Sequence, residues 1–202
     1  MDKSVHLGIV TTHPIQYQAP LFRALNDRAD VDPIVFFHHL PDAEQQGEGF
    51  GTAFTWDLPL LEGYRWKVLT REAASTDSSS LPTFSSFGEA YQDVDVMLIH
   101  GWQSPYMWRA WIRGVFSTTP LLVRGESNAM RQRPWWIEQL HQWYLRPFQR
   151  YVYIGESNKQ FYQNAGIRED ALYPGRYCIE NERFDKDWKE LKPKRDMLRH
   201  QF

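Results

Sequence analysis

Short apolar runs alternate with helix-spaced segments along this chain. Residues 5–12 (Val-His-Leu-Gly-Ile-Val-Thr-Thr) form an apolar stretch with a β-branched end, which reads as a buried parallel strand stopped by His13-Pro14. Residues 18–29 carry Leu21, Phe22 and Leu25 at helical spacing, and residues 33–38 return to an apolar strand pattern. Residues 40–54 are polar and glycine-rich, a loop long enough to point to function or mobility. A strand is expected at the end of residues 56–69, a Ser/Thr/Asp-rich surface loop over 73–80 and a short helix over 84–91. The clearest later strands are 94–99, 120–124 and 151–154. Helices are expected over 105–116, 135–145 and 157–165, the last ended by Gly166 at its C′ position. An extended segment over 172–179 and a helix over 185–201 complete the pattern.

Strands alternating with helices imply an α/β fold: a Rossmann-like three-layer α/β/α domain with a mostly parallel sheet and right-handed crossovers. Ligands of such sheets bind beyond the C-terminal ends of the strands. The positions that matter are therefore 13–17, 38–39, 100–103, 124–128 and 155–158. Polar groups in glycine- or proline-marked turns fill most of them.

Composition narrows the class. The 202 residues suit one large domain, and a net charge of -2 gives no global electrostatic case for nucleic acid. The one cysteine, Cys178, excludes an internal disulfide and a cysteine-based zinc site, and fits a reducing compartment. No run approaches the ~20 apolar residues of a membrane helix. A cytoplasmic location is expected, with peripheral contact at the inner membrane face as the further option. Nine tryptophans stand out, since flat aromatic faces suit cores, sugars and membrane interfaces alike.

The candidate chemistry lies at the strand ends. The segment holding His13, Gln16 and Tyr17 has no G-x-G-x-x-G pattern, which argues against a dinucleotide cofactor. It feeds a helix N-terminus, where free N–H groups favour an anion, although an ordinary βα turn reads the same way. His100 can titrate or donate a neutral hydrogen bond, Gly101 permits close approach to backbone, and Trp102 offers a stacking face. The plain alternative is a strand-end histidine bonded to a loop carbonyl. Arg124 and Glu126 flank Gly125, and charges this close to a buried strand need partners. Glu126 can act as a base on an acceptor hydroxyl, or the two residues can form a structural pair. Ser157 and Asn158 read as capping residues. His38 and His39 point to opposite strand faces, so no metal site is expected. Residues 129–150 combine arginine with tryptophan. The favoured reading is a core-packed helix with a basic solvent face, and contact with an anionic lipid surface is the other.

The order of these pieces resembles a known family. It runs His13-Pro14-Ile15-Gln16-Tyr17-x-Ala19-Pro20-Leu21-Phe22, then Trp102, then Leu122-Val123-Arg124-Gly125-Glu126-Ser127-Asn128. It continues Tyr153-Ile154-Gly155-x-x-Asn158-x-x-Phe161-Tyr162-x-x-x-Gly166 and ends Glu180-Asn181-x-x-Phe184. This set resembles the N-terminal domain of family-4-like glycosyltransferases of the GT-B fold over nearly the whole chain. The resemblance implies an acceptor-binding half facing a second half that binds a nucleotide sugar. It also implies transfer with retention and no metal or cofactor. On this reading the 13–17 loop faces the cleft near the donor phosphates and His100 contacts the transferred sugar. Arg124, Glu126 and Asn128 then line the acceptor side.

The family's donor half, with its Glu-x7-Glu pair, does not follow here. Glu182 and Glu190 match that spacing by chance, in a charged segment without the strand and glycine context. Residues 1–184 are therefore expected to be the acceptor-side domain, and 185–202 the start of a linker or helix toward a missing donor domain or partner subunit. The expected function is transfer of a sugar to a glycan, lipid-linked or small hydroxylated acceptor, with little or no activity in this chain alone. Rival readings are a non-catalytic carbohydrate- or lipid-interacting module, one subunit of a split transferase, and an unrelated flavodoxin-like protein.

Overall fold

In a computed structural model, seven parallel strands among the described residues form one sheet in the order β3-β2-β1-β4-β5-β6-β7. The structure describes residues 4–47, 51–69, 81–131 and 133–200. The strands are β1 (Val5–Thr11), β2 (Val31–Phe37), β3 (Arg65–Val68), β4 (Val96–Ile99), β5 (Leu121–Arg124), β6 (Arg150–Tyr153) and β7 (Leu172–Pro174). The helices are α1 (Ala19–Asn26), α2 (Ala43–Gly47), α3 (Phe84–Gln92), α4 (Pro105–Val115), α5 (Trp135–Leu145), α6 (Glu156–Asn164), α7 (Asn181–Leu191) and α8 (Arg195–Arg199). This is the Rossmann-like α/β fold that the alternation implies. The order reverses at β1, so the switch point lies between β1 and β4, where such sheets open a crevice.

Each sheet face has its own core. On one, Val10, Phe36, Met97, Ile99, Leu121 and Val123 meet buried residues of α3, α4, α5 and α6. On the other, Ile9, Val35, Phe37 and Leu98 meet Ala19 and Phe22 of α1. Successive strand residues alternate between these clusters, as period-2 geometry requires. Buried tyrosines tie the layers together. The Tyr106 hydroxyl donates to the Phe36 carbonyl at 3.0 Å, and that of Tyr91 to the Ala110 carbonyl at 2.9 Å. The α7 segment returns to the α1 face, where Glu180 pairs with Arg23, and Arg183 with Asp57 at 2.8 Å.

Several sequence expectations need correction. Part of the 40–54 loop is helical, as α2, while residues 48–50 lie outside the described residues. The 73–80 loop also lies outside them. The 185–201 helix is two helices with a 3-10 turn at Lys192–Lys194, because Pro193 lacks the N–H that continuation needs. The largest departure is α5. Of the helix-spaced apolar residues Trp136, Leu140 and Trp143 or Tyr144, only Tyr144 is buried, with Leu145 beside it in the chain; Trp136, Leu140 and Trp143 are exposed along with Trp135. Asn158 is no cap. It is buried inside α6, accepts from the Ile154 N–H at 3.0 Å and donates to the Ser127 carbonyl.

Candidate functional site

Three neighbouring strand ends, those of β1, β4 and β5, enclose a cavity of about 270 Å3. It is lined by His13 and Tyr17 after β1, by His100, Gly101 and Trp102 after β4, and by Arg124, Gly125 and Glu126 at the end of β5. The parallel register brings these residues together: Val10 lies opposite Ile99 and Ile99 opposite Val123, so all three strands finish at one level.

His100 is the best-defined group. Its N–H donates to the Val10 carbonyl at 3.0 Å, which holds the backbone, but neither ring nitrogen has a hydrogen-bond partner among the described residues. The plain alternative, a ring bonded to a loop carbonyl, is thus not what the described residues show. Burial, with the Arg124 charge as a smaller cause, lowers the ring's pKa to about 3, so His100 is neutral at physiological pH. A neutral imidazole offers one donor and one acceptor. Two buried nitrogens left unbonded cost ~1–3 kcal/mol each, a deficit that a ligand in the cavity would relieve.

Arg124 is 4% exposed, and its Nε donates to the Gly175 carbonyl at 3.2 Å. Among the described residues Nη2 is unpartnered and no carboxylate pairs with the guanidinium. The supposed Arg124–Glu126 pair is therefore absent. The Tyr177 hydroxyl donates to Glu126 Oε1 instead, and the Arg124 guanidinium lies over the Tyr177 ring, 5.0 Å from its centroid. Tyr17 meets the same ring edge-on at 4.5 Å. Burial, then the Glu126 charge, raises the Tyr17 pKa and keeps its phenol protonated. Strand-end reasoning missed Tyr177 because residues 172–179 read as one extended segment. The strand ends at Pro174, so Tyr177 belongs to the turn beyond it.

The β1 turn differs from expectation. His13 lines the cavity, its Nδ1 lies 3.0 Å from Thr12 Oγ1 and burial lowers its pKa. Yet the Gln18 and Ala19 N–H groups both bond the Ile15 carbonyl, and Pro20 has none to offer. The turn thus presents fewer free donors to an anion than a bare helix start. Gln16 is not among the lining residues, whereas Thr11 and Gln18 are, joined by a 3.2 Å bond. Asn128 also falls outside the lining: its Oδ1 accepts from the Met130 N–H at 3.1 Å, and its carbonyl accepts from Arg133. Trp102 is half-buried against Tyr144 and Phe161, so much of its ring serves packing. His39 sits 5.6 Å from the His13 ring, while His38 stacks on Tyr106. Among the described residues no three His, Cys, Asp or Glu side chains gather to hold a metal.

No family model and no curated protein matches this chain. Solved structures do. One is HepE (Alr3699) of Anabaena, solved with UDP and glucose, at TM-score 0.50 and 9% identity, covering 93% of this chain and 50% of that one. Another is the UDP-N-acetylglucosamine 2-epimerase of Rickettsia bellii, at TM-score 0.49 and 11% identity, covering 94% of this chain and 47% of the other. The chain therefore spans about half the length of these proteins. The likeness is one of GT-B-like fold and does not single out family 4.

Proposed function

We propose that this chain is the acceptor-side half of a GT-B-like glycosyltransferase. The observation that carries the reading is the single cavity uniting His13, Tyr17, His100, Arg124 and Glu126 from three adjacent strand ends. HepE, similar in fold, was solved with UDP and glucose, and this chain matches half of it. A second half would supply the nucleotide-sugar site, as the resemblance implies.

In this reading Glu126 acts on the acceptor. Its carboxylate is exposed, and Tyr177 engages only Oε1. An acceptor hydroxyl hydrogen-bonds there, its oxygen bonds to the anomeric carbon on the same face from which the diphosphate departs as that C–O bond breaks, and the carboxylate takes its proton. The anomeric outcome implied by the resemblance is retention. His100, held neutral, reads sugar hydroxyls without adding a charge. The open Nη2 of Arg124 takes an acceptor oxygen, and an anionic one gains most.

Saturation-transfer NMR of sugars, sugar phosphates and nucleotide sugars against the purified chain tests this, alongside a transfer assay. The expected result is sugar contact that Glu126→Gln and Arg124→Gln each weaken at least tenfold, with no transfer by the chain alone. Appreciable transfer by the 202-residue chain, or sugar contacts untouched by both substitutions, overturns the reading.

A further inference from the structure

Helix α5 and the loop before it carry a surface that the cleft does not use. Met130, Trp135, Trp136, Leu140 and Trp143 are between 42% and 83% exposed. On a helical wheel Trp136, Leu140 and Trp143 share one side of α5, and Trp143 rests on Trp108 and Trp111 of α4, at 6.4 and 4.8 Å between ring centroids. Neither Trp135 nor Trp136 has a ring partner among the described residues. So many large apolar side chains exposed on one short segment mark a contact site.

Charge identifies the occupant. Residues 129–150 contain Arg131, Arg133, Arg146 and Arg150 against one acid, Glu138, in a chain whose net charge is -2. None of the four arginines pairs with a carboxylate among the described residues. On the α6 side of α5, Arg131 and Arg133 line a cavity of about 380 Å3 with His141, whose Nδ1 is buried and unpartnered there, and with Glu138. Exposed tryptophans in a segment whose arginines lack carboxylate partners suit a bilayer interface: the rings sit at headgroup depth and the guanidinium groups meet lipid phosphates. No helix among the described residues is long and apolar enough to cross a membrane. We infer that the α5 face docks this protein on an anionic lipid bilayer, with the tryptophans at the interface and the arginines on headgroup phosphates.

Co-sedimentation of the full chain with vesicles of equal parts phosphatidylglycerol and phosphatidylcholine, and with phosphatidylcholine alone, tests the inference. The chain should pellet with the anionic vesicles and stay in solution with the neutral ones. The double variant Trp135→Ala, Trp136→Ala should lower the anionic-vesicle partition at least tenfold. Arg131→Gln with Arg146→Gln should lower it by roughly tenfold and weaken its salt dependence. All four side chains are exposed, and unchanged circular dichroism confirms that the variants are folded. No sedimentation with anionic vesicles, or undiminished binding by the tryptophan variant, overturns the inference. So does a stable dimer that the same variant dissolves, because a second copy would then cover the face. The inference stands apart from the cleft: its failure would leave sugar contact at Glu126 and Arg124 untouched.

Discussion

The Tyr177 hydroxyl donates to the Glu126 carboxylate, so the turn after β7 is fastened to a residue that lines the cleft built by β1, β4 and β5. The ring beneath that hydroxyl also meets Tyr17 and the Arg124 guanidinium. Burial first, then the bond to Glu126, raises the Tyr177 pKa, so the phenol remains a donor at physiological pH. Tyr177→Phe keeps the ring and loses the bond, and should cost about 1 kcal/mol of unfolding free energy in urea. Tyr177→Ala loses the ring as well and should cost about 2–3 kcal/mol. Equal costs for the two variants would show that the ring contacts contribute nothing.

Acid should weaken this protein through its histidines. The folded pKa values of His100 and His39 are about 3 and about 4, both below the ordinary imidazole value of 6.5, with burial the leading cause. The unfolded chain therefore takes up protons that the folded chain refuses. Stability is complete above pH ~6.5 and falls as the pH drops toward the folded values, by up to ~1.4 kcal/mol per pH unit for His100 and by less for half-buried His39, which solvent screens. Urea midpoints measured from pH 7 to pH 4 should show the fall, and His39→Gln should reduce its slope. An unchanged slope in that variant would place the acid sensitivity in other groups.

Gly125 and Trp102 fit against each other without room to spare. A Cβ at Gly125 would lie 2.8 Å from the Trp102 ring and 3.2 Å from the Tyr162 hydroxyl, which accepts the Gly125 N–H. Gly125→Ala should therefore push Trp102 out of its packing and cost about 1–3 kcal/mol. A changed near-ultraviolet circular dichroism band would report the displaced indole. A neutral substitution would mean that Trp102 is mobile there.

The parallel fold was legible because each strand is a short apolar run stopped by a polar turn, and strands of that kind need helices on both faces. The cleft was legible for the same reason: parallel register gathers the residues after each strand, and His13, His100, Arg124 and Glu126 all follow from that rule. What stayed hidden depends on tertiary partners. Nothing local says that α5 turns its tryptophans outward, because a stripe of Trp136, Leu140 and Trp143 has the same spacing whether a neighbour covers it or not. Nor does spacing reveal that Asn158 struts two strand ends, or that Glu126 bonds Tyr177 rather than Arg124.

Gly101 offers a cleaner case, since its cost comes from backbone alone. Its φ is +86°, and a Cβ there would meet nothing within 4 Å. An alanine would therefore clash with no side chain but would occupy the left-handed region, which L residues other than glycine rarely visit. Gly101→Ala should lose about 1 kcal/mol, and the β-branched Gly101→Val more, because branching at Cβ restricts the backbone further. The turn is also anchored, for the Tyr144 hydroxyl donates to the Gly101 carbonyl at 3.1 Å. If relief of the φ constraint moves that carbonyl, Tyr144→Phe and Gly101→Ala share one effect, and the double variant should lose less than the two single costs combined. Additive losses in a urea double-mutant cycle would show that the positive φ is held by the chain on either side rather than by Tyr144.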